Sequence, residues 1–306
     1  MARGVRYERL ATERANRASA RLDRLDARGI ARLMNREDAR AVRAVGRAAR
    51  AIAAAAELIV AALGAGRRLI FAGAGTSGRL GVLEAAECPP TFGTSPRMVQ
   101  AIMAGGRASV FRSREGAEDD ARAAVRAVRA RVRAGDVVVG VSASGVTPFV
   151  RGALAAARRL GAGTVLVTCS GARVPADVTI SLAPGPEVLA GSTRLKAGTA
   201  TKLVLNTLTT ASMARLGKVY GNRMVDVQPR SAKLRARAAR LVGEIGGVAP
   251  VRARRLLAAA GGRVPVAIVM ARRDLTADAA ARALRAAGSL RPVIERAGYA
   301  ARFPPR

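Results

Sequence analysis

Five short apolar segments in the middle of the chain constrain its fold more than any other feature. They read RLIFAGAG (68–75), MVQAIMAGG (98–106), DVVVGVSASG (136–145), GTVLVTCSG (163–171) and DVTISLAPG (177–185). Each has the length of a buried β-strand, and sequence of helical character fills 78–88, 117–134 and 148–160 between them. Buried strands that alternate with helices indicate a parallel sheet covered on both faces. We therefore expect an α/β fold with a doubly wound, mainly parallel sheet.

Helical sequence flanks the predicted sheet on both sides. Residues 1–66 are rich in Ala, Leu and Arg at helical spacing, and we expect breaks near Gly29 and Asn35. No strand is expected after about Pro229, where a helix at 231–242 precedes three short helices separated at Gly261–Gly262 and at Asp274. These patterns divide the 306 residues into an N-terminal helical segment (1–55), a sheet domain (56–228) and a small C-terminal helical module (229–306).

Two features of the composition limit the chemistry and the partners. The chain has no histidine, which removes the commonest general base, the Ser–His and Cys–His nucleophiles and histidine metal sites. Its formal net charge is +32, and all but four of its 53 basic residues are arginines, scattered along Ala-Arg-rich stretches. Scattered arginine with only 3% aromatic residues argues against a specific nucleic-acid partner, although charge alone would permit unspecific phosphate attraction.

The sequence also predicts a cellular compartment. No apolar run reaches the roughly 18 residues of a membrane span. The first residues, MARGVRYERLATERAN, lack the apolar centre of a signal peptide. Cys88 and Cys169 are the two cysteines, and they form no CxxC pair, so no structural disulfide is expected. We therefore expect a cytoplasmic protein that does not contact a membrane.

A glycine-rich turn follows the first predicted strand. The sequence GAGTSG matches G-x-G-x-x-G through Gly73, Gly75 and Gly78, which is the pattern of a dinucleotide-binding turn. That pattern also requires an acidic residue at the end of the second strand for the ribose. MVQAIMAGGR ends without one, although Arg107 would suit a 2′-phosphate. A dinucleotide site is therefore the weaker of two interpretations of this turn.

A second turn favours the other interpretation, a small phosphate. VSASGVTPF follows the third predicted strand and carries Ser142, Ser144 and Thr147 around Gly145. Because both turns follow strands of one parallel sheet, their hydroxyls and backbone N–H groups can share one edge of that sheet. The alternative for either turn alone is ordinary helix capping by Ser and Thr. Finding both turns in one sheet favours a phosphate-binding site.

Acid–base chemistry in a chain without histidine falls to carboxylates, Lys, Tyr or Cys. The segment GVLEAAECPPTFG predicts a helix that starts at the glycine turn and is stopped after Glu87 by Cys88-Pro89-Pro90. The residues alone leave several carboxylates open as candidates: Glu84, Glu87, Glu115, Glu118 and Asp119. Lys196 and Lys202 are further candidates, because three of the four lysines fall between 196 and 218, but helix packing explains them equally well.

Seven segments together resemble one known family. They are TERANRASARLDRL, MNREDARAV, GAGTSGRLGVLEAAECPPTFG, REGAEDD, DVVVGVSASGVTPFV, GPEVLAGSTRLKAGTATKLVLN and GKVYGNRMVDVQP. In their order and spacing they resemble the N-acetylmuramic acid 6-phosphate etherases, whose central domain is of the SIS type that binds sugar phosphates. The resemblance runs from about Thr12 to about Met270. It implies a SIS-type sheet at 56–228 and a C-terminal module similar to ubiquitin-associated three-helix domains.

The resemblance also implies a function. The chain would be a lyase of cell-wall recycling that converts N-acetylmuramate 6-phosphate into N-acetylglucosamine 6-phosphate and D-lactate. It would work as a cytoplasmic homodimer, with a phosphorylated amino sugar as substrate and with no metal or cofactor.

The resemblance assigns roles to particular residues as well. Glu87 matches the acid that protonates the departing lactate, and Glu118 matches the base that removes the C2 proton. The remaining matched positions would bind the phosphate or the sugar, and they are Ser142, Ser144 and Thr147 for the phosphate, Thr76 and Ser77 for the sugar or phosphate, and Lys196.

Three positions depart from the family pattern. Val146 stands where the family usually has arginine, Phe149 where it has tyrosine, and Ser142 where it often has alanine. Loss of the arginine would weaken substrate binding or change the substrate. Two other functions therefore stay open at this point: a sugar-phosphate isomerase, which also begins by removing a C2 proton, and a non-catalytic sugar-phosphate sensor.

Overall fold

A computed structural model of the chain describes residues 11–227 and 231–295. The predicted boundary between 228 and 229 and the helical character expected of residues 1–10 lie outside the described residues. Contacts divide the chain into two compact units, Met1–Ala86 with Pro96–Thr210 and Glu87–Ser95 with Ala211–Arg306. Each unit has its own hydrophobic core, and the division into 1–55, 56–228 and 229–306 stays a prediction.

The first unit contains a five-stranded parallel sheet in the order β2-β1-β3-β4-β5. Its strands are β1 (Leu69–Gly73), β2 (Val99–Met103), β3 (Val137–Val141), β4 (Gly163–Thr168) and β5 (Val178–Ser181). All five predicted strands are confirmed, as is their parallel arrangement. β1 and β3 are entirely buried, as expected for the inner strands of a sheet with helices on both faces.

Helices complete the doubly wound fold. They are α1 (Ala27–Arg47), α2 (Ala49–Gly64), α3 (Gly75–Phe92), α4 (Ala108–Phe111), α5 (Ala121–Arg131), α6 (Pro148–Arg159) and α7 (Lys196–Arg215). Phe149 and Leu154 of α6 pack with Ile70, Val138 and Leu166 from three adjacent strands. Helix α6 lies so close to β3 that a Cβ on Gly140 would come within 2.8 Å of Val150.

Three expected helix breaks are wrong. Helix α1 runs through Gly29 and Asn35, because Asp26 caps its first turn by accepting a hydrogen bond from the Gly29 N–H at 2.7 Å. Helix α3 continues through Pro89 and Pro90 to Phe92. Two prolines so close to the C-terminus remove only two hydrogen bonds of the helix, which the last turn can tolerate.

The second unit contains the C-terminal helices α8 (Ala232–Gly246), α9 (Pro250–Ala259), α10 (Val264–Arg273), α11 (Ala277–Ala287) and α12 (Leu290–Glu295). The predicted break at Gly261–Gly262 is confirmed between α9 and α10, and the break at Asp274 follows α10. Buried residues such as Val242, Ile268 and Ala280 form a shared core. A short antiparallel pair, β6 (Val219–Tyr220) and β7 (Arg223–Met224), was not predicted.

Candidate active site

The strand order creates a crevice at one edge of the sheet. β1 pairs with β2 on one side and with β3 on the other, so the chain winds in opposite directions from these two central strands. In open parallel sheets, ligands bind outside the carboxyl ends of the strands where the winding reverses. Gly73 at the end of β1 lies in register with Val141 at the end of β3. The two turns singled out in the sequence therefore start side by side.

The turn after β1 is built around a close approach between strand and helix. A Cβ on Gly73 would lie 2.7 Å from the backbone nitrogen of Gly78, and one on Gly78 would lie 2.5 Å from the Gly73 carbonyl oxygen. Glycine at both positions therefore lets the start of α3 pack directly against the end of β1. Thr76 and Ser77 lie in the first turn of that helix and are half-buried.

The turn after β3 is held by its own hydroxyls. Ser142 Oγ accepts the Gly145 N–H at 3.0 Å and lies 2.8 Å from Thr147 Oγ1. Ser144 Oγ accepts the Val146 N–H at 3.3 Å. Gly145 has a φ of +70°, which a residue with a side chain rarely adopts. Ser142 is buried beneath the turn, whereas Ser144 and Thr147 are half-buried and closer to solvent.

Thr147 is the N-cap residue of α6, yet its side chain does not cap that helix. Its hydroxyl bonds Ser142 instead. Ordinary capping therefore does not explain Thr147. The hydroxyls gathered at this turn form the kind of site that suits an anion.

Glu118 is tied to the same turn by its backbone. Its carbonyl oxygen accepts the N–H of Phe149, in the first turn of α6, at 2.9 Å. Its side chain is exposed to solvent. This bond fixes the loop that carries Glu118 beside the turn of Ser142, Ser144 and Thr147.

These residues border one open cavity of about 260 Å³, which we call the switch-point cavity. Its lining includes six of the predicted site residues: Thr76, Ser77, Glu118, Ser142, Ser144 and Thr147. It includes neither Glu87 nor Lys196. Its charged lining residues are all acidic (Glu13, Glu118 and Asp119), and none of the described residues that line it is a lysine or an arginine.

Sequence reasoning missed part of this lining. Thr12 and Glu13 reach the cavity from the N-terminal segment, and Gly191 and Thr193 reach it from the loop before α7. The Gly191 N–H donates to the Thr12 carbonyl oxygen at 3.1 Å, which joins the two segments. Both lie within motifs that carry the family resemblance, TERAN and GSTRLK, and this was the signal available in the sequence.

Lys196 lies elsewhere, in a fully buried ion pair. Its side chain is 0% exposed and its Nζ donates to Glu37 Oε2. Asn16 Nδ2 donates to the same oxygen at 2.7 Å. Burial alone would raise the pKa of Glu37, but the hydrogen bonds from Lys196 and Asn16 outweigh it and hold that pKa below its usual value. Lys196 thus connects α7 to α1, and in this structure it is not open to a ligand.

Lys202 is also paired with a carboxylate. Its Nζ donates to Glu84 Oε2 at 2.8 Å, and Thr209 Oγ1 donates to Glu84 Oε1 at 2.5 Å. Glu84 is buried by these partners. Of the carboxylates left open by the sequence, Glu84 therefore has a role in joining α3 to α7.

Glu87 is exposed on α3, one turn after Glu84. It belongs to the second compact unit, which contains residues 87–95. Its assignment as a catalytic acid stays a prediction.

Neither a metal cluster nor a membrane helix is found in the described ranges. Within residues 11–227 and 231–295, no group of three or more His, Cys, Asp and Glu side chains is arranged to hold a metal ion. No helix in the same ranges is both long enough and apolar enough to span a bilayer.

The sheet belongs to a SIS domain: residues 51–158 match the family model described as glucokinase regulatory protein N-terminal SIS domain. A phosphoheptose isomerase structure from Neisseria gonorrhoeae aligns with 57% of this chain and 94% of its own, at 22% identity and a TM-score of 0.42.

Closer relatives identify the family. N-acetylmuramic acid 6-phosphate etherase of Gloeobacter violaceus is 54% identical over 93% of this chain and 94% of its own length. The etherase of Geobacillus thermodenitrificans is 50% identical over 94% of this chain and 99% of its own length. The chain belongs to the N-acetylmuramic acid 6-phosphate etherase family of enzymes.

Proposed function

We propose that this chain is a carbon–oxygen lyase that cleaves the D-lactyl ether of N-acetylmuramate 6-phosphate in cell-wall recycling. Its products are N-acetylglucosamine 6-phosphate and D-lactate. One observation supports the proposal most: the exposed carboxylate of Glu118 borders the same cavity as the hydroxyls of Thr76, Ser77, Ser144 and Thr147. A base beside an anion-binding turn is what removal of a proton from a phosphorylated sugar requires.

The phosphate is bound in this proposal without a basic side chain. Ser144 and Thr147 offer hydroxyl donors, and Thr76 and Ser77 offer two more from the start of α3. Ser142 is buried and bonded to Thr147 and Gly145, so its role is to hold the turn in shape.

The chemistry requires one base and one acid. In the open-chain aldehyde, the C2 proton is acidic because it is α to the carbonyl. Glu118 removes that proton, the electron pair forms the C2–C3 double bond, and the C3–O bond to lactate breaks. Glu87 gives a proton to the departing lactate oxygen. Glu118 then loses its proton to the solvent, takes a proton from a water molecule whose oxygen adds to C3, and delivers that proton to C2. Glu87 regains its proton from the solvent, so both carboxylates return to their starting protonation states.

The remaining assignments follow from the family. We propose a cytoplasmic homodimer that needs no metal or cofactor and binds no specific nucleic acid. Light scattering coupled to size-exclusion chromatography should give twice the mass of 31.6 kDa. A monomeric mass at micromolar concentration would contradict the dimer.

Release of D-lactate from N-acetylmuramate 6-phosphate tests the proposal directly. Purified protein should release one lactate per substrate, and Glu87→Ala should abolish release while still exchanging the C2 proton with deuterated water. Glu118→Gln should lose both release and exchange. A ketose product without lactate would identify an isomerase, and binding without any turnover would identify a sensor.

A further inference from the structure

A second cavity adjoins the switch-point cavity. It encloses about 250 Å³ and shares Ala74, Gly75 and Glu118 with its neighbour. Its own lining includes Arg79 of α3, Ser109 of α4, and Ser113 and Arg114 of the loop after α4. We call it the arginine cavity. Glu118 therefore faces two spaces of different chemistry, one with hydroxyls and one with guanidinium groups.

Arg79 is held in place by neutral oxygens only. Its Nε donates to the Val110 carbonyl at 2.9 Å, and its Nη2 donates to the Ser109 carbonyl at 3.0 Å and to Ser113 Oγ at 3.1 Å. In the part of the chain that the structure describes, no carboxylate is paired with Arg79. Half-buried charges are normally paired, and a guanidinium has five N–H donors, so Arg79 keeps both charge and donors for a ligand.

Ser109 provides a second, independent indication of a ligand. The residue is 3% exposed, lines the arginine cavity, and has an Oγ without a hydrogen-bond partner among the described residues. A buried hydroxyl with no partner costs about 1–3 kcal/mol, so such groups usually have an unseen partner.

We infer that the arginine cavity binds the carboxylate of the lactyl group, with Arg79 as its main partner. This inference rests on the proposed function, because the substrate then carries two anionic ends, the phosphate and the lactyl carboxylate. The switch-point cavity accounts for the first end and contains no cation for the second. Nε and Nη2 of Arg79 are already bonded, and the two N–H groups on its Nη1, which have no partner among the described residues, can bind a carboxylate. Binding it at Arg79 also offsets its repulsion from Glu118, which borders the same cavity.

The test is a cycle of two substrates and two protein forms. The substrates are N-acetylmuramate 6-phosphate and its analogue with a carboxamide in place of the lactyl carboxylate, and the proteins are wild type and Arg79→Gln. For each protein, the acid-to-amide preference is the ratio of kcat/KM for the acid to kcat/KM for the amide. This preference should be about tenfold larger in wild type than in Arg79→Gln, because a charge-assisted hydrogen bond contributes about that factor. Any intrinsic difference in reactivity between the substrates cancels when the two preferences are compared.

Two control variants keep the test decisive. Arg107→Gln removes an exposed arginine that does not line the cavity, so the acid-to-amide preference should be unchanged. If Arg79→Gln fails to fold because its loop is lost, Arg114→Gln removes a cation from the same cavity without breaking a bond that the structure records, and should reduce the preference several-fold.

The outcomes separate this inference from the proposed function. Inhibition by N-acetylglucosamine 6-phosphate, which has no carboxylate, should be equal in wild type and Arg79→Gln. An active wild type whose acid-to-amide preference is unchanged by both Arg79→Gln and Arg114→Gln would overturn the subsite alone. A wild type that releases no lactate from either substrate would overturn the proposed function, and with it the inference.

Discussion

The switch-point cavity and the arginine cavity meet at Glu118 but differ in how they can hold an anion. The first offers hydroxyls, and all of its charged lining residues are acidic. The second offers Arg79 and Arg114 and a buried serine without a partner. A tetrahedral phosphate suits several converging hydroxyl and N–H donors, whereas a planar carboxylate suits a guanidinium.

The difference teaches that net charge does not locate the site. The chain carries a formal charge of +32, yet its best candidate phosphate cavity has no basic side chain in the described lining. The arginines are spread over helix surfaces, where they act on solubility and long-range attraction. In our proposal, binding of the phosphate depends instead on a few hydroxyl donors that line the switch-point cavity.

The largest effect should come from the residue that the two cavities share. Glu118→Gln should lower the rate of D-lactate release by about a thousandfold, because a positioned general base contributes about 10²–10⁴. Asp119→Asn and Glu115→Gln are matched controls, since Asp119 borders only the switch-point cavity and Glu115 only the arginine cavity. Both controls should keep most of the rate. An equal loss in either control would show that the base has been misassigned.

Lys196 lies outside both cavities, and we expect it to affect the stability of the fold and not the binding of substrate. Lys196→Met should lower the free energy of unfolding by about 3–5 kcal/mol in urea, because it removes the buried cation beside Glu37 and leaves that carboxylate only Asn16 and the exposed Arg40. The double variant with Glu37→Gln should recover part of this loss. Unchanged stability combined with a raised KM would restore the earlier expectation that Lys196 binds substrate.

The same pair predicts a dependence on pH. The pKa of Glu37 is lowered from 4.5 on folding, so its stabilisation is present above the unfolded value and is lost as the pH falls through the folded value. The stability advantage of wild type over the double variant should therefore shrink as the pH is lowered below about 4.5. An advantage that grows on acidification would contradict the assigned direction.

The two serines of the turn after β3 should have different roles: Ser144 should bind the phosphate, and Ser142 should stabilise the turn. Ser144→Ala should raise the inhibition constant of N-acetylglucosamine 6-phosphate about tenfold, the value of a hydrogen bond to a charged group. Ser142→Ala should instead lower the free energy of unfolding by about 1 kcal/mol, because its hydroxyl bonds Gly145 and Thr147. Unphosphorylated N-acetylglucosamine should not distinguish the variants, and a variant that weakens both sugars equally would argue against a phosphate contact.

The smallest effect should come from adding a cation to the switch-point cavity. Val146 lines it, at the position where the family resemblance leads us to expect arginine. Val146→Arg should lower KM several-fold at low ionic strength, and the gain should fade with added salt because exposed charges are screened. Val146→Gln serves as the size-matched control and should leave KM unchanged. A gain that persists in 1 M salt would point to packing instead of charge.

The sequence predicted the sheet well because its signals are local. Each strand is a short apolar run, and the two functional turns follow from glycine and hydroxyl patterns at strand ends. Local patterns gave wrong predictions where contacts distant in sequence determine the helix bounds or the partner of a side chain. Asp26 caps a helix through Gly29, α3 continues past two prolines, and Lys196 finds Glu37, which is 159 positions away in the chain.

The site was predictable only in part for the same reason. Five residues of the two turns could be placed together because the turns follow strands of one parallel sheet, whereas Glu118 joined them only through the family resemblance. Thr12 and Glu13 reach the cavity from a distant segment, and Arg79 becomes notable only when its neighbours prove to be neutral. A single sequence does not show whether a long side chain such as that of Arg79 is paired with a carboxylate.

A crystal structure of Glu118→Gln with N-acetylmuramate 6-phosphate would test the central claim most directly. The account predicts the phosphate within hydrogen-bond distance of Ser144 and Thr147, C2 of the sugar beside residue 118, and the lactyl carboxylate on Arg79. A phosphate bound to Arg79 and Arg114, with the switch-point cavity empty, would contradict it.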